Sequence, residues 1–527
     1  MLLVRLASAT AAALLLPFIG HANVRPHPLF TDNTVLQRDT EIPVWGWADP
    51  GEAVTVTLGT TTVRTRTGAD GKWSLRLPKQ AMNAKGQTLD IKGKNELRVK
   101  NVLIGDVWLC SGQSNMQWSL GACDAPEDIK TAVNPLIRHF AVDMKFARDP
   151  QDTVRGSWSI CSPSSVPGFT AVGYYFARKV LQETGVPVGL LNSSVGGTNI
   201  ECWMRQETLL GTPALKVYAD QMRASLAKYQ VELLGYHRAV ADWVRLESEH
   251  IQTSKAVSYP PEQPNFPFGE QEHSPRCTTL HNGMIQPLIP FSVRGVLWYQ
   301  GENNAGGVTD GLQYIEKQRV LIRDWRDAFG RPDMPFYSVA LAGWQSQSNS
   351  PAGGDGWAEF RDAQRRALVI PHTGLASAVD IGDVNDIHPK NKLDVGERLA
   401  LWALRDVYGK SVTVSGPLLR DVSQTSTGTI RITFDHLGKG LTTGRMEKPG
   451  RFVATPQLAL GGFSVAGADK VWHVATASID GDVVVVRAQQ VKNPLFVRYG
   501  YRMHPLDANL YNKDGLPALP FRTDDGL

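Results

Sequence analysis

The sequence predicts a mixed α/β protein in which a large central domain is flanked by two smaller β domains. The chain has 527 residues, and single hydrophobic cores stop growing at roughly 250–300 residues, so more than one domain is expected. Between residues 101 and 408, strand-like apolar runs alternate with helical patterns, which indicates a parallel sheet covered by helices on both faces. Before and after that region the runs are short, alternating and separated by turn residues, which is typical of antiparallel β-sandwiches.

The two β-sandwich domains are predicted over residues 23–100 and 409–527. In the first, turns such as Asp49-Pro50-Gly51 separate the runs Glu41 to Trp47, Ala53 to Leu58, Thr61 to Arg66, Trp73 to Leu77 and Glu96 to Val102. In the second, the runs are Ser411 to Val414, Gly428 to Phe434, Lys470 to Ala477, Asp482 to Ala488 and Leu495 to Arg498. The first region contains no catalytic cluster, so we expect it to have a structural or sugar-contacting accessory role.

The central region alternates between predicted strands and predicted helices. The strands are Val107 to Cys110, Val186 to Asn192, Val293 to Tyr299, Phe336 to Leu341 and Leu375 to Val379. The helices are Ala171 to Thr184, Gln313 to Phe329, Trp357 to Leu368 and Lys392 to Tyr408. A helical insertion is predicted at about residues 204–274, where a long amphipathic pattern from Met204 to Glu249 is followed by a Pro/Gln/Glu-rich loop.

The N-terminus has the pattern of a secretory signal over residues 1–22. Arg5 precedes an apolar run from Leu6 to Ile19, and Gly20-His21-Ala22 supplies small residues at the two positions that a signal peptidase reads. The run is too short for a membrane anchor, and no later stretch reaches about 18 uninterrupted apolar residues. We therefore expect an exported protein, periplasmic or extracellular, with no membrane span.

Composition excludes some classes of partner. The formal net charge is only +4 and there is no dense Lys/Arg run, so nucleic acid is not an expected partner. Fourteen tryptophans and 49 glycines favour a β-rich structure with aromatic surfaces such as sugar-binding clefts. The five cysteines are an odd number and none has the spacing of a metal site. We expect no metal and no cofactor, and the sequence leaves disulfide pairing and oligomeric state open.

The most informative stretch follows the first strand of the central region. The apolar run from Val102 to Cys110 gives way to Ser111-Gly112-Gln113-Ser114-Asn115, where small and polar residues replace apolar ones. At the carboxyl edge of an open α/β sheet, such a turn presents a side chain to solvent, and active sites are usually found there. Ser114 is therefore a candidate nucleophile, although most serines at such positions only cap a helix.

A candidate base and acid follow the last predicted strand of the central region. The loop from Asp383 to Pro389 comes after the strand Leu375 to Val379, on the same sheet edge as Ser114. In an extended loop Asp386 and His388 point to one side. The carboxylate can then bind one ring nitrogen while the other faces the serine, as a hydrolytic serine requires.

Two further loops at this edge can supply hydrogen-bond donors. Asn192 to Thr198 contains the paired glycines Gly196 and Gly197, whose backbone amides can approach a reacting carbonyl closely. Trp298 to Asn304 carries amide side chains. Donors of both kinds stabilise the oxyanion that forms when a nucleophile attacks a carbonyl.

These loops resemble, in order, the four sequence blocks of the SGNH hydrolases. Within that superfamily they are most similar to the sialate O-acetylesterase-like carbohydrate esterases. The four blocks are Gly112-Gln113-Ser114-Asn115-Met116, Gly196-Gly197-Thr198, Gln300-Gly301-Glu302-Asn303-Asn304 and Asp386-Ile387-His388-Pro389. Framing stretches that also fit are Trp108 to Ser111, Leu280 to Ile285, Trp298-Tyr299, Val497 to Gly500, Ala508 to Asn512 and Gly515 to Thr523. The resemblance therefore covers nearly the whole mature chain.

The resemblance implies a flavodoxin-like three-layer α/β/α SGNH hydrolase core and a role for each block. Ser114 would be the nucleophile, His388 the general base and Asp386 its orienting acid. The oxyanion hole would consist of the amides of Ser114 and of Gly197 (or Gly196), with a side chain from the third block. The predicted substrate contacts are Gln113, Glu302 and Asn282.

Two positions depart from the general SGNH pattern. The third block generally places an asparagine in the oxyanion hole, and here both Gln300 and Asn303 are candidates. The acid generally stands three residues before the histidine, where this chain has Asn385. Asp386 is therefore preferred, and Asp383 is kept as the second candidate.

The implied activity is metal-independent removal of O-acetyl groups from carbohydrates through an acetyl-enzyme. The motifs define the chemistry and not the sugar, so a sialic acid and an acetylated plant polysaccharide such as xyloglucan or xylan are both compatible. An inactive carbohydrate-binding protein is the alternative from another class. A nucleophile elbow of the α/β-hydrolase type is excluded, because it needs glycine two residues after the serine and Met116 stands there.

Overall fold

The computed structural model describes residues 24–524, apart from residues 254, 256–257, 266, 268–276, 307, 346–348 and 426–427. The predicted secretory signal over residues 1–22 and part of the predicted loop after the helical insertion lie outside the described residues. Within the described part, none of the helices combines the length and the apolar character that crossing a bilayer requires.

Short strands in two sheets make up the N-terminal region. The strands are β1 (Arg25–Pro26), β2 (Val35–Gln37), β3 (Ile42–Trp47), β4 (Ala53–Leu58), β5 (Thr61–Arg66), β6 (Lys72–Leu77), β7 (Asn83–Lys92) and β8 (Glu96–Gly112). One antiparallel sheet contains β1, β3 and β6, and the other joins β5, β4, β7 and β8, with β2 parallel to β8. Val54, Val56 and Leu58 of β4 are buried and alternate with more exposed threonines, as the period of two along a strand dictates.

Strand β8 is shared by the N-terminal sheet and the central sheet. It continues for 17 residues. Its first part pairs antiparallel with β7, and its last part, residues 106–112, pairs with strands of the central sheet. The domain boundary predicted after residue 100 therefore lies inside one continuous strand. The apolar run from Val102 to Cys110 is fully buried in this strand, which brings the chain directly to the edge where Ser114 lies.

The central sheet is parallel except at one edge. Besides β8 it contains β9 (Asn134–Ala141), β10 (Trp158–Cys161), β11 (Val188–Ser194), β12 (Gly295–Tyr299), β13 (Phe336–Ala340) and β14 (Thr373–Ser377). The order is β10-β9-β11-β8-β12-β13-β14, and only β10 runs antiparallel to its neighbour. The sequence pattern did not predict β9 or β10, because β9 carries the polar residues Arg138 and His139, which are nevertheless buried.

Helices cover both faces of this sheet. They are α1 (Ser114–Gln117), α2 (Pro126–Lys130), α3 (Ala171–Thr184), α4 (Gln206–Gly211), α5 (Lys216–Gln252), α6 (Val308–Ala328), α7 (Gly356–Arg366) and α8 (Lys392–Asp406). Trp108 of β8 packs on Phe176 of α3 at 4.9 Å between ring centres. On the other face, Trp298 of β12 packs on Trp325 of α6 at 5.6 Å. The predicted mixed α/β class is confirmed, and α4 and α5 supply the helices expected in the insertion.

The C-terminal region consists of strands around a separate apolar core. They are β15 (Leu418–Gln424), β16 (Ile430–Asp435), β17 (Leu441–Lys448), β18 (Arg451–Ala454), β19 (Phe463–Ala466), β20 (Trp472–Val474), β21 (Thr476–Asp480), β22 (Val483–Arg487), β23 (Phe496–Tyr499), β24 (Leu510–Asn512) and β25 (Phe521–Arg522). Arg522 donates to Glu359 of α7 at 2.7 Å, and Leu519 packs with Ala340 and Leu375. These contacts fix the C-terminal region on the central domain.

All five cysteines lie in the described part of the chain and are free thiols. Four are buried and Cys277 is partly exposed. Burial raises the pKa of the Cys161 thiol to about 11, and burial likewise raises that of Cys110. Such thiols are inert and pack as small apolar groups.

Candidate active site

Ser114 lies where β8 ends at the carboxyl edge of the central sheet, as predicted. It is the first residue of the short helix α1 and is partly exposed. Gly112 makes the turn with φ +127, and a Cβ at this position would lie 2.2 Å from the carbonyl oxygen of Tyr299. Only glycine therefore permits both this backbone conformation and the close approach of β12. The turn presents the serine side chain to the loops of the neighbouring strands.

The structure brings Ser114, His388 and Asp386 together in one chain of contacts. Oγ of Ser114 lies 2.8 Å from Nε2 of His388. The other ring nitrogen, Nδ1, lies 3.3 Å from Oδ1 of Asp386, and the same carboxylate oxygen accepts a hydrogen bond from the His388 backbone N–H at 2.8 Å. The ring of Trp118 stacks on the imidazole at 4.7 Å between centres. This stacking and the two contacts to Asp386 fix the orientation of the imidazole.

Asp383, the second candidate acid, is placed differently. It is exposed, and its Oδ1 accepts a hydrogen bond from the backbone N–H of Asn385 at 2.9 Å. Asn385, which stands at the position of the acid in the general pattern, is also exposed. Among the described residues the carboxylate in contact with His388 is that of Asp386, so the geometry favours Asp386 as the orienting acid.

The surroundings of His388 lower its pKa from the ordinary value of 6.5. Burial is the main cause, because it disfavours the charged imidazolium. The Asp386 carboxylate raises the pKa and the nearby Lys392 ammonium lowers it. His388 is consequently neutral near pH 7, which is the form that can accept a proton from Ser114.

We predict that kcat/KM for an aryl acetate rises with pH to a plateau and that the midpoint of the rise lies below 6.5. Only the neutral imidazole can act as a base, and a lowered pKa means that it stays neutral at more acidic pH. Initial rates across the acidic range give this midpoint, provided that full activity returns when the enzyme is brought back to neutral pH. A midpoint above 6.5 would contradict the assignment.

Two backbone amides, those of Ser114 and of Gly197 in the neighbouring loop, are available as oxyanion donors. A Cβ on Gly196 would lie 3.2 Å from Cβ of Ser114, so this loop is close to the nucleophile. The Gly196 N–H is already used, because it donates to Oε1 of Gln117 at 2.8 Å. The N–H groups of Ser114 and Gly197 have no acceptor among the described residues. The geometry therefore favours Gly197 over Gly196.

Gln300 and Asn303, the two third-block candidates, have different surroundings. Gln300 is fully buried, and its Nε2 contacts Gln113 Oε1 at 3.2 Å, Thr198 O at 3.0 Å and Asn304 Oδ1 at 2.7 Å. Both of its amide hydrogens are therefore used inside the protein. Asn303 is exposed, and its Nδ2 contacts Oδ1 of Asn199 at the surface. The amide available to a ligand is that of Asn303.

The three predicted substrate contacts have partners inside the protein. Gln113 is buried, and its Oε1 accepts from the backbone N–H of Gly301 at 3.2 Å. Glu302 accepts a hydrogen bond from Asn115. Asn282 lies in a buried π-helical turn over His281–Ile285 and donates to the Arg148 carbonyl oxygen at 2.7 Å. Within the described chain no hydrogen bond connects Asn282 to Ser114 or His388.

Trp118 and Lys392 at the candidate site were not predicted from the sequence, and Asn115, a residue of the first block, has contacts that its position in the block does not reveal. Trp118 stacks on His388. Asn115 donates to Ile387 and Glu302, and the buried Lys392 donates to Asn115 Oδ1. Asn115 and Lys392 stand in or near the quoted blocks, but charged lysines are almost always solvent-exposed. Local sequence therefore carries no signal that Lys392 is buried.

A serine in contact with a histidine at the carboxyl edge of an α/β sheet is typical of the serine-type ester hydrolases. Comparison with known proteins specifies the class further. The family model described as carbohydrate esterase, sialic acid-specific acetylesterase, matches residues 104–262 and 276–405. The chain belongs to this family of sialate O-acetylesterase-like carbohydrate esterases, so the resemblance seen in the four blocks is confirmed.

Relatives of known identity are similar over most of the chain. The sialate O-acetylesterase of Mus musculus is 30% identical over 462 residues, which is 77% of this chain and 78% of that protein. The Homo sapiens sialate O-acetylesterase is 29% identical, over 73% of this chain and 72% of that protein. The crystal structure of a carbohydrate acetylesterase from Xanthomonas citri has a TM-score of 0.76 and 36% identity, and it covers 95% of this chain and 99% of that one.

Proposed function

We propose that this protein is a serine esterase that removes O-acetyl groups from carbohydrates through an acetyl-enzyme intermediate. The observation that carries the proposal is the 2.8 Å contact between Ser114 Oγ and His388 Nε2, in a chain of the carbohydrate esterase family. A serine-reactive phosphonate tests it, because such a probe labels only an activated serine. Labelling of Ser114 supports an esterase, whereas no labelling would favour the alternative of an inactive carbohydrate-binding protein.

The proposed reaction has two steps that use the same residues. His388 Nε2 accepts the proton of Ser114 as Oγ attacks the acetyl carbonyl carbon, and Asp386 stabilises the imidazolium that forms. The tetrahedral intermediate collapses by breaking the bond to the sugar oxygen, which takes the proton from His388. Water then attacks the acetyl-enzyme, gives a proton to His388, and acetate leaves as Ser114 Oγ recovers that proton.

The amides of Ser114 and Gly197 and the side chain of Asn303 form the proposed oxyanion hole. We expect Asn303→Ala to lower kcat by about 10²–10³-fold, because the interaction of a single donor with the developing oxyanion is lost. The matched control is Asn199→Ala, which removes the contact partner of Asn303 and leaves its donor in place. Steady-state kinetics on an aryl acetate measure both variants. Equal kcat values for Asn303→Ala and wild type would exclude this donor.

We also propose that the chain consists of an SGNH hydrolase core between two β-sandwich domains. The central sheet order, with helices on both faces and Ser114 at a strand end, supports an SGNH hydrolase core over residues 101–408. A separate apolar core supports a β-sandwich domain at the C-terminal end. The N-terminal strands, which we propose to be the second β-sandwich, share one apolar core with the central sheet, and β8 belongs to both. The apolar N-terminal run supports export to the periplasm or the extracellular space.

The sugar substrate can be identified by measuring acetate release from two groups of acetylated carbohydrates under the same conditions. O-acetylated sialic acids test the activity named for the mammalian relatives, and acetylated xyloglucan and xylan test the second candidate substrate class. Release from only one of these groups assigns the substrate class. If neither group released acetate while an aryl acetate was still cleaved, the esterase chemistry would stand and the carbohydrate assignment would be wrong.

A further inference from the structure

A buried lysine lies near the Trp118 ring that stacks on His388. Lys392, the first residue of α8, has only 1% of its surface exposed. Its Nζ donates to Oδ1 of Asn115 and lies 5.9 Å from the ring centre of Trp118 and 5.6 Å from that of Tyr299. A buried ammonium is costly unless it is hydrogen-bonded, and the carbonyl oxygen of the Asn115 amide supplies that bond.

Lys392 determines which way the Asn115 amide points. An ammonium group can only donate, so it requires the oxygen of the amide and not its nitrogen. Nδ2 must then point the other way. There it donates to the backbone carbonyl oxygen of Ile387 at 3.0 Å and to Oε1 of Glu302. Reversing the amide would set its N–H groups against the ammonium and remove the Asn115 hydrogen bonds from both acceptors.

This amide connects three segments of the candidate site. Asn115 follows the nucleophile directly in sequence, Ile387 precedes His388, and Glu302 belongs to the third block. One side chain thus connects the turn that carries Ser114 to the loop that carries His388. The 2.8 Å distance between the serine and the imidazole depends on the relative position of these two segments.

We propose that Lys392 and Asn115 are positioning residues for the esterase reaction. Lys392 fixes the direction of the Asn115 amide, and the amide holds the Ser114 turn and the His388 loop at reacting distance. This inference rests on the proposed function, because it assigns roles within the same site. Neither residue is proposed to touch the reacting atoms.

The charge of Lys392 gives the proposal a second, independent readout. The groups that face Lys392 are Glu302, Asp386 and the Cys123 thiol, and burial lowers its own pKa to about 8. Among the groups that face His388, Asp386 raises its pKa and Lys392 lowers it. Removing the lysine charge should therefore raise the pKa of His388 and move the acid limb of the pH–rate profile to higher pH.

Three variants separate the positioning role of Lys392 from the effect of its charge on His388. Lys392→Met removes both the hydrogen bond to Asn115 and the positive charge. We expect its kcat on an aryl acetate to fall by about 10²-fold, because a small misplacement of reacting groups has a cost of this size. Its KM should be nearly unchanged. Its acid limb should shift to higher pH. Lys392→Arg retains the cation and should restore the wild-type position of the acid limb. Asn115→Asp keeps a partner for Lys392 but has no N–H for Ile387 and Glu302, so its kcat should fall with little change in KM.

Two measurements make the outcome decisive. Thermal unfolding shows which variants fold. If Lys392→Met does not fold, the test relies on Asn115→Asp, whose side chain is nearly identical in shape to that of the wild type. The rate at which a phosphonate labels Ser114 reports activation of the serine without any sugar substrate. Slower labelling in folded variants supports the proposal, and wild-type kcat and labelling rate in Asn115→Asp would overturn it. If the wild-type protein itself is not labelled, the proposed function fails instead.

Discussion

Replacing Ser114 with alanine should abolish ester hydrolysis. A serine nucleophile cannot be substituted by any neighbouring group, and the loss of such a residue costs on the order of 10⁶-fold in kcat in a serine hydrolase. Because the alanine side chain is smaller and nonpolar, the turn after β8 and the stability of the fold should be retained. The measurement is the initial rate on an aryl acetate, together with acetate release from an acetylated sugar.

Ser194 provides a matched control for this substitution. It ends β11 at the same edge of the sheet, and its Oγ donates to Oδ1 of Asn192 at 2.7 Å. Because Ser194 has this partner and no contact with His388, Ser194→Ala should retain most of the wild-type rate. A Ser114→Ala variant that cleaved the aryl acetate at the wild-type rate would contradict the proposed mechanism.

Replacing Asp386 with asparagine should lower kcat on the order of 10⁴-fold. The asparagine side chain would lack the negative charge that stabilises the imidazolium, and its amide could set the wrong tautomer of His388. Nδ1 of His388 lies 3.3 Å from the carboxylate, so the interaction is direct. Steady-state kinetics on an aryl acetate provide the test, with KM expected to change far less than kcat.

Asp383→Asn is the control that distinguishes the two candidate acids. Asp383 is exposed and bonds the backbone of its own loop, so its substitution should leave kcat within a small factor of the wild-type value. If Asp383→Asn were the variant that lost activity and Asp386→Asn retained it, the assignment of the acid would have to be reversed.

Local sequence patterns predicted many of the strands and helices, because neighbouring residues determine where these elements begin and end. The strand β5 has the predicted limits Thr61–Arg66, since short alternating runs ended by turn residues define strands directly. Helix α3 also has its predicted limits: Thr170 caps its first turn and Gly185 ends it in the left-handed conformation with φ 70. Elements whose signals depend on distant partners were missed. Buried Arg138 obscured β9. Besides a local bond to the Pro135 carbonyl oxygen, its guanidinium donates to the carbonyl oxygens of Asn33 and Asn101, which are far away in sequence.

The site residues that directly follow the ends of parallel strands could be predicted from the sequence. Parallel strands bring their carboxyl ends to one edge, so Ser114 and His388 could be paired from the sequence although 274 positions separate them. The choice between Gln300 and Asn303 could not be made, because it depends on which amide is already bonded within the fold. The role of Lys392 was not foreseen either, since its burial results from packing and not from its neighbours in sequence.

In the proposed mechanism Ser114 carries the acetyl group during turnover, and rapid chemical quench followed by peptide mapping tests this most directly. The enzyme is mixed with an acetylated substrate, quenched with acid within the first turnover and digested, and the mass of each active-site peptide is measured. We predict an added acetyl group on the peptide that contains Ser114, absent in Ser114→Ala and lost after the substrate is consumed. Acetate release at the full rate with no acetylated serine peptide at any quench time would contradict an acetyl-enzyme on Ser114.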